Sequence, residues 1–457
     1  PYITITQQTA STYREIFEKP EDNTLAVLEH HSSANVISND KDKYDPAIIQ
    51  QRLAAENWDA PIIVTTTVQL FESLFANSTS QCRKLHRLAN SVIILDEAQS
   101  LPANLLEPML DALKELSTHY GSTVVLSTAT QPAFDYFKPF KDLEAKGIIP
   151  NSKNHFDVLK RVEYEWKIKE PLTWEEVADL MRTEKQSLAI CNRKQDAIDL
   201  LEALKDKKAL HLSTLLCGKH RSAVIEKVKQ RLKSNEPCQL VATQVVEAGV
   251  DIDFPLVLRA LGPLDSIVQA AGRANREGKL EQGRVIVFTP KDGGLPPGVY
   301  IRATETTLTL LNKKSINMND PSIMQEYFTK IYQQEDSPSS DGKKIQKMRK
   351  EFDYPEVSRE FQLIKEDTFN VVVTNYGSEK DKKRVRSILD RLHEGAPPTR
   401  NIMRRLQPYM VSIRQRKKNE YRENGLIIPF GTGDNQISDI WEWTGKYDEI
   451  QGLAEVV

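Results

Sequence analysis

The feature that most constrains the fold is an apolar run, Val92–Leu95, that ends in two adjacent carboxylates, Asp96 and Glu97. A strand with one solvated face would alternate apolar and polar residues, so this run predicts a strand buried on both faces of a parallel sheet. Such a strand would place both carboxylates at the carboxyl edge of the sheet, where open α/β folds bind ligands. The alternative is a buried strand that leads into an ordinary acidic turn.

Two later motifs favour the ligand-binding interpretation. A second short strand is expected at residues 122–126 and ends in Ser127-Thr128-Ala129-Thr130. Downstream, the sequence QAAGRANR predicts about one and a half turns of helix that carry Gln269, Arg273 and Arg276, with both arginines on one face. The order D-E-A-Q, S-T-A-T and Q-x-x-G-R-x-x-R resembles the motif series of superfamily 2 helicases. Those enzymes are two RecA-like domains that close around ATP while holding a nucleic-acid strand.

Length and composition set broad limits on the architecture. At 457 residues the chain exceeds what one hydrophobic core usually supports, so two or three domains are expected. Hydrophobic and charged fractions of 39% and 28% are ordinary for a soluble globular protein. The net charge of −2 does not by itself indicate a polyanionic partner.

Cysteine and histidine usage argues against disulfides and metal sites. The four cysteines form no C-x-x-C pair, and the sequence shows neither a signal peptide nor a long apolar run. These features predict a cytoplasmic location in a reducing compartment and no membrane partner. His30 and His31 are adjacent, but no constellation of histidines or carboxylates surrounds them, so a solvated loop is favoured over a metal site.

The rest of the chain follows the βαβ rhythm that is typical of parallel sheets. We predict an α/β fold with two tandem RecA-like parallel-sheet domains, residues 1–160 and 161–290, of which the first is incomplete. Residues 291–457 are expected to form a linker and a C-terminal accessory domain. Strands are expected at residues 61–67, 161–166, 187–192, 209–213, 238–243, 283–288, 369–374, 409–413, 426–430 and 437–443, and helices at 68–75, 194–204 and 220–232.

Polar and basic residues at several expected strand ends are candidates for contacts with a phosphate backbone. They are Thr65, Thr66, Asn192, Arg193 and Arg221. The two threonines either contact phosphates through their hydroxyls or cap the following helix. The basic residues either reach phosphates or belong to solvated loops.

The segment from Thr243 to Asp251, TQVVEAGVD, resembles the helicase motif that couples the nucleotide state to the grip on the strand. Gly249 would allow a positive φ or a close backbone approach. Asp251 either accepts the ribose hydroxyls or orients the arginines. Arg273 and Arg276 suit a γ-phosphate because the guanidinium charge is permanent and its fork is bidentate. The alternative is that they pair with the nearby Glu277 or Glu281.

Several stretches together resemble the helicase–nuclease of type I CRISPR systems, and its I-C subtype in particular. They are residues 1–2, 29–32, 63–75, 96–99 with Leu101-Pro102, and 247–253. The resemblance implies an ATP-dependent single-stranded DNA translocase that unwinds and helps degrade invading DNA. It implies ATP and Mg²⁺ as cofactors, and single-stranded DNA and the CRISPR RNA-guided surveillance complex as partners. Another superfamily 2 DNA or RNA helicase and a catalytically silent DNA-binding remnant are the alternatives.

The resemblance also implies roles for individual residues. Asp96 would hold Mg²⁺ through water, and Glu97 would orient or deprotonate the attacking water. Arg273 and Arg276 would stabilise charge on the transferring phosphoryl group. The residues that would link the nucleotide to the single strand are Thr128, Thr130, Thr243 and Gln244. Where the family has D-E-A-H, this sequence has Gln99, which can donate and accept hydrogen bonds but cannot carry charge.

Two family features do not occur in this sequence. The phosphate-binding pattern G-x-x-x-x-G-K-[ST] is absent, and none of the eight histidines is followed by Asp. In the family the phosphate loop lies just before a segment that resembles residues 1–8. We therefore expect an N-terminally truncated chain that lacks the HD nuclease domain and does not hydrolyse ATP in isolation.

One block near the C-terminus is strongly basic. Residues 380–422 contain 14 lysines and arginines but only four acidic residues, a net charge of +10. A basic block in a nearly neutral protein is typical of a groove for a phosphate backbone. A solvated helical face is the alternative.

Overall fold

A computed structural model describes residues 3–18, 25–31, 46–143, 145–149, 160–247, 249–313, 317–318, 320–364, 367–431 and 437–454. The chain forms two compact units. The first contains Pro1–Lys160 and Arg302–Lys365, and the second contains Arg161–Ile301 and Glu366–Val457. The division into three domains that the sequence predicts stays a prediction.

The chain up to residue 160 builds short parallel ladders with helices around them. Strands β1 (Val27–His30) and β2 (Ile62–Thr65) pair in parallel, as do β3 (Val92–Leu95) and β4 (Thr123–Leu126). The helices are α1 (Ile3–Phe17), α2 (Pro46–Asn57), α3 (Thr67–Leu74), α4 (Thr79–Cys82), α5 (Leu106–His119) and α6 (Lys138–Lys141). The strand and helix predicted at residues 61–75 are confirmed.

Strand β3 has one buried face and one exposed face, so the prediction of burial on both faces is wrong. Ile93 and Leu95 are 8% and 4% exposed, whereas Val92 and Ile94 are 66% and 62% exposed. Successive side chains of a strand point to opposite faces, and the described elements cover only the face that carries Ile93 and Leu95. An unbroken apolar run identifies the strand but does not show which faces the neighbouring elements cover.

His31 is buried rather than solvated, so the loop predicted around it is also wrong. Its side chain is fully enclosed, and its Nε2 lies 2.8 Å from Oε1 of Glu29. His30 ends β1, and burial lowers the pKa of its imidazole to about 4. Within the described ranges, no group of three or more His, Cys, Asp or Glu side chains is placed to hold a metal ion.

The second unit is organised around a six-stranded parallel sheet. The strands are β5 (Val162–Leu172), β6 (Gln186–Ile190), β7 (Leu210–Leu212), β8 (Cys238–Ala242), β9 (Leu256–Ala260) and β10 (Gly283–Pro290), in the spatial order β5-β10-β9-β6-β8-β7. The helices are α7 (Trp174–Arg182), α8 (Lys194–Leu204), α9 (Gly218–Lys233) and α10 (Leu264–Ala271). The central strands β6, β8 and β9 are mostly apolar and largely buried, as expected for a sheet with helices on both faces. The strands predicted between residues 161 and 288 and the helices predicted at 194–204 and 220–232 are confirmed.

A helical segment follows the sheet. It consists of α11 (Val299–Lys313), α12 (Ser322–Glu335), α13 (Asp341–Lys350) and α14 (Tyr354–Glu360). Residues 302–365 belong to the first unit, where Arg349 pairs with Asp111 at 2.6 Å. The rings of Phe75 and Phe361 stack with centroids 3.9 Å apart. Helix α11 therefore begins in the second unit and continues with residues of the first.

The remaining residues of the second unit form a mixed four-stranded sheet with the order β12-β11-β14-β13. Its elements are β11 (Thr368–Val372), α15 (Glu379–His393), α16 (Arg400–Leu406), β12 (Met410–Arg414), α17 (Lys418–Glu423), β13 (Ile427–Phe430) and β14 (Ile437–Trp443), followed by the short pair β15 (Tyr447–Asp448) and β16 (Gly452–Leu453). All four strands predicted here are confirmed. Phe369, Val371 and Trp441 share one buried cluster with Leu215 and Cys217 from the first part of the unit.

Throughout the described segments, no helix is both long and apolar enough to span a membrane.

Candidate functional site

A tight turn follows β3 and carries the two carboxylates predicted from the sequence. Glu97 adopts a left-handed backbone conformation with φ of +53°, which costs a non-glycine residue about 1–3 kcal/mol. It precedes the short 3-10 helix Ala98–Ser100. Asp96 is exposed, and its Oδ1 accepts a hydrogen bond of 2.9 Å from Ser127 Oγ. Gln99 is buried, and its Nε2 donates to Oε2 of Glu97.

The structure brings the D-E-A-Q and S-T-A-T motifs together. Strands β3 and β4 pair in register from Val92 opposite Thr123 to Leu95 opposite Leu126, so the residues that follow each strand lie side by side. The backbone N–H of Ala98 donates to the carbonyl of Ser127 at 3.0 Å. Thr128 Oγ1 lies within hydrogen-bond distance of Gln99 Oε1 and, at 2.6 Å, of the Thr130 carbonyl.

Gln99 therefore has a positional role that requires no charge. Its amide nitrogen donates to Glu97 while its amide oxygen accepts from Thr128, so one side chain links the two motifs. An amide suits this position because it offers a donor and an acceptor on one planar group. We call the set Asp96, Glu97, Gln99, Ser127 and Thr128 the carboxylate cluster.

Thr65 and Thr66 lie at the end of β2, in the separate β1–β2 ladder. Thr66 is buried, and its hydroxyl accepts from the backbone N–H of Gln69 at 3.3 Å, so it caps α3. Thr65 Oγ1 donates to the carbonyl of His30 at 2.7 Å. The structure thus shows the capping alternative for Thr66, and contact of either residue with phosphate stays a prediction.

In the second unit, the polar residues predicted at strand ends share the carboxyl edge of the parallel sheet. Gln244 follows β8, and its Nε2 donates to the backbone carbonyl of Asn192, which follows β6, at 3.0 Å. Thr243 and Asn192 are buried, at 5% and 3% exposed. Arg193 pairs with the fully buried carboxylate of Asp196 at 2.7 Å.

Arg221 lies on α9 rather than at this strand edge. Its Nη1 donates to the carbonyl of Leu216 at 3.0 Å, and burial lowers the pKa of its guanidinium. Contacts of Arg193 and Arg221 with phosphate stay predictions.

The predicted helix through Gln269, Arg273 and Arg276 ends earlier than expected. Helix α10 stops at Ala271, so Gln269 occupies its last turn while both arginines lie beyond it. The backbone after Gly272 pairs with Phe254 instead. Phe254 donates to the carbonyl of Arg273 at 2.9 Å and accepts from the N–H of Asn275 at 3.0 Å. This strand-like pairing uses the groups that a continued helix would need, so the arginines are placed by the loop and not by a helical face.

The two arginines have different partners. Arg273 donates through Nε to the carbonyl of Val246 at 3.0 Å and through Nη2 to that of Glu247 at 2.7 Å. Arg276 pairs with the carboxylate of Asp251 at 3.1 Å, and both side chains are about half exposed. Its ion-pair partner is thus Asp251 and not the Glu277 or Glu281 considered from the sequence.

Gly249 has a φ of +80°, one of the two conformational features that the sequence predicted for this glycine. This left-handed conformation allows the chain to turn between the segment held by Arg273 and the Asp251 carboxylate.

Comparisons with known proteins show what this chain resembles in sequence and in fold. Residues 183–279 match a family model described as the C-terminal part of the CRISPR-associated nuclease/helicase Cas3. A CRISPR-associated nuclease/helicase Cas3 from Haloferax volcanii is 28% identical over 403 residues, covering 64% of this chain and 42% of that protein. The crystal structure of T. fusca Cas3 with ATP superimposes with a TM-score of 0.62 at 18% identity, covering 99% of this chain and 63% of that one.

The chain is similar in sequence and in fold to CRISPR-associated nuclease/helicases. A further similar structure, described as a CRISPR RNA-guided surveillance complex before nicking, has a TM-score of 0.54 at 15% identity and covers 88% of this chain and 62% of that one. The fold class predicted from the sequence, tandem RecA-like domains with a parallel sheet, is confirmed. The chain spans less than half the length of the curated Cas3 relative.

Sequence reasoning missed a buried ion pair in the second unit. Arg259 on β9 is fully buried, and its Nη2 lies 2.9 Å from Oε1 of Glu247, which is 7% exposed. Burial raises the pKa of Glu247 to about 7, and the charge of Arg259 acts in the opposite direction. One signal was available, because Arg259 interrupts an otherwise apolar strand, LVLRA. A charge in such a strand predicts a buried partner.

Proposed function

We propose that the protein containing this chain is an ATP-dependent DNA translocase that acts in CRISPR interference. The carboxylate cluster carries this proposal. Its hydrogen bonds join Asp96 to Ser127 and Gln99 to Thr128, so the residues proposed to bind and hydrolyse the nucleotide are linked directly to the residues proposed to respond to the strand. The ATP named with the T. fusca Cas3 structure supports nucleotide binding in this fold.

The residues present fit a hydrated Mg²⁺ ion. Asp96 offers an exposed carboxylate, the hard oxygen ligand that Mg²⁺ prefers, at the carboxyl edge of a parallel pair of strands. Bound there through water, the ion would neutralise charge on the nucleotide phosphates. Ser127 orients the Asp96 carboxylate, and Gln99 orients Glu97 as the base for the attacking water.

Arg276 is assigned to the transferring phosphoryl group. Its pair with Asp251 is half exposed, and such pairs contribute only about 0–1 kcal/mol, so the guanidinium can exchange a carboxylate for a phosphate at little cost. Arg273 is already bound to two backbone carbonyls and instead holds the 246–247 segment in place. Gln269, on the last turn of α10, and the turn at Gly249 are also proposed to contact the nucleotide.

Burial divides the residues proposed for the nucleic-acid strand into two kinds. Thr65, Thr128, Arg193, Arg221 and Gln244 are at least partly exposed and are proposed to contact phosphates. Thr66, Thr130, Asn192 and Thr243 are buried and are proposed to position them. Single-stranded DNA is the proposed substrate, and the surveillance complex is the proposed partner because a structure of that description shares this fold.

Comparison of single-stranded DNA with single-stranded RNA tests this function. The complete protein that contains this sequence should hydrolyse ATP faster with saturating single-stranded DNA, and the same length of RNA should stimulate it far less. Stronger stimulation by RNA would identify an RNA helicase instead. No hydrolysis above background, with or without either strand, would indicate a catalytically silent binding protein.

The basic block provides a second prediction because the structure separates its paired from its exposed cations. On α15, Lys382 bonds to Glu379 and Arg386 pairs with the buried Glu442, whereas Lys383 and Arg384 are exposed. Alanine at both Lys383 and Arg384 should weaken binding of single-stranded DNA at low salt. The slope of log K against log salt should become shallower by up to about 1.4, since each phosphate contact to a single strand contributes about 0.7.

Fluorescence anisotropy across a salt series measures this slope. Alanine at Lys205 and Lys207 serves as the matched control, because these exposed lysines lie in the turn between α8 and β7, at the amino edge of the sheet. An unchanged slope in the Lys383/Arg384 variant would assign the block to solvation of a helical face.

A further inference from the structure

The hydroxyl of Tyr300 lies at the centre of a largely buried hydrogen-bond network in the second unit. It donates to Oδ1 of Asn192 at 2.7 Å. It accepts from Nη2 of Arg259 at 2.8 Å and, more weakly, from Nε2 of Gln244 at 3.4 Å. A phenol offers one donor and two acceptor positions, so these three neighbours use its full capacity. The Tyr300 hydroxyl thus joins residues that follow β6 and β8 to a residue within β9.

The side chain of Asn192 also makes several hydrogen bonds in this network. Its Oδ1 also accepts from Nη1 of Arg259 at 2.8 Å, and its Nδ2 donates to the carbonyl of Leu261 at 2.8 Å. Removal of one member of such a network is unfavourable, because the polar groups left behind lose a partner in a low-dielectric environment.

Gly262 leaves the space that the network occupies. A Cβ atom added at Gly262 would lie 2.8 Å from the Tyr300 hydroxyl, 3.2 Å from Arg259 Nη2 and 3.4 Å from Asn192 Oδ1. Any side chain at this position would therefore displace the hydroxyl. Position 262 therefore requires glycine for a steric reason, because the Tyr300 network occupies the space that a side chain would need.

The network continues toward the residues proposed for the nucleotide. Arg259 also pairs with the carboxylate of Glu247, and the backbone carbonyl of Glu247 accepts from Arg273. Gln244 lies at the other end of the same 3-10 turn, Gln244–Val246. A shift of Gln244 on binding a strand would thus reach Arg273 through Tyr300, Arg259 and Glu247.

Tyr300 also lies at a special place along the chain. It occupies the first turn of α11 (Val299–Lys313), and the first segment of the second unit ends one residue later, at Ile301. Its hydroxyl therefore fixes the start of the helix whose remaining residues belong to the first unit.

We propose that Tyr300 is a positioning residue that makes ATP hydrolysis respond to the bound strand, by tying Gln244 to the Arg259–Glu247 pair. This inference rests on the proposed function. Tyr300 touches neither nucleotide nor strand in this account, and it acts through the residues that do.

Phenylalanine at Tyr300 tests the proposal because it removes only the hydroxyl. ATP hydrolysis by the complete protein is measured with and without oligodeoxythymidine, and binding of the same oligonucleotide is measured by anisotropy. The basal rate, the KM for ATP and the Kd for the oligonucleotide should stay within about twofold of wild type. The stimulated kcat should fall about tenfold, the effect expected for loss of one hydrogen bond to a charged group.

Tyr447→Phe is the matched control. The Tyr447 hydroxyl also bonds within the second unit, accepting from the N–H of Cys217 at 3.1 Å and contacting His220 Nδ1 at 2.9 Å, but the 244–259 network does not include it. This variant should keep the stimulated rate even if it lowers the melting temperature as much as Tyr300→Phe does.

Each remaining result has a definite meaning. Full stimulation of the Tyr300→Phe variant, or stimulation restored by more DNA, would overturn the proposal, since the hydroxyl would then be dispensable or act in binding. Equal losses of basal and stimulated rates would also overturn it, in favour of a purely structural role. A wild-type protein without DNA stimulation would refute the proposed function itself, and the coupling with it.

Discussion

Replacing Glu97 with glutamine is expected to abolish ATP turnover and to leave ATP binding nearly intact. The amide has the shape of the carboxylate but cannot take a proton from the attacking water, and loss of a positioned base typically costs about 10²–10⁴ in rate. The turn that holds residue 97 should survive, because the backbone hydrogen bond from Ala98 to Ser127 does not involve this side chain. Steady-state hydrolysis and the Kd for a fluorescent ATP analogue, measured on the complete protein, separate the two effects.

Glu115→Gln supplies the control for this change. Glu115 lies on α5 in the same unit and makes only a loose contact of 3.7 Å with His119 at the surface. Its substitution should leave both measurements unchanged. A Glu97→Gln protein that retains the wild-type rate would remove the carboxylate cluster from the mechanism.

Alanine at Arg276 is expected to lower kcat by about 10³–10⁵, the range for arginines that stabilise a transferring phosphoryl group. The fold should tolerate the change, because the lost pair with Asp251 is half exposed. Lysine at the same position should recover only part of the rate, since it keeps the charge but loses the bidentate fork. Rapid-quench measurement of a single turnover isolates the chemical step.

Arg284→Ala is the matched control for Arg276→Ala. Arg284 is a half-exposed arginine of the same unit that lies 3.7 Å from Glu165 and from Glu184. Its loss should not change turnover. Wild-type kcat in Arg276→Ala, or a defect of equal size in Arg284→Ala, would contradict the assignment.

Local sequence pattern was sufficient for the individual strands of the second unit's sheet and for the strands that carry the two first-unit motifs. Apolar runs such as 187–190 and 238–242 are strands, and their polar ends meet at one edge because parallel strands point the same way. The strands before D-E-A-Q and S-T-A-T were likewise predicted from their apolar runs, and the structure adds that they pair. These features depend on residues close together in the sequence.

Features that depend on contacts between residues far apart in the sequence could not be predicted from local sequence pattern. The early end of α10 follows from backbone pairing with Phe254, about twenty residues upstream, although Gly272 marks the place. The one-sided burial of β3 depends on which elements cover it. The partners of Arg259 at Glu247 and Tyr300 are set by tertiary packing, and only the charge within an apolar strand indicated that a partner exists.

ATP-driven movement along single-stranded DNA is the most direct test of the account. The complete protein would be loaded on an oligodeoxynucleotide with a biotin at one end, and the displacement of streptavidin would be followed with either end labelled. Wild-type protein should displace streptavidin from one end in the presence of ATP, and both Glu97→Gln and Arg276→Ala should fail while still binding the strand. Displacement by either variant at the wild-type rate, or hydrolysis by wild type without displacement from either end, would contradict the proposed function.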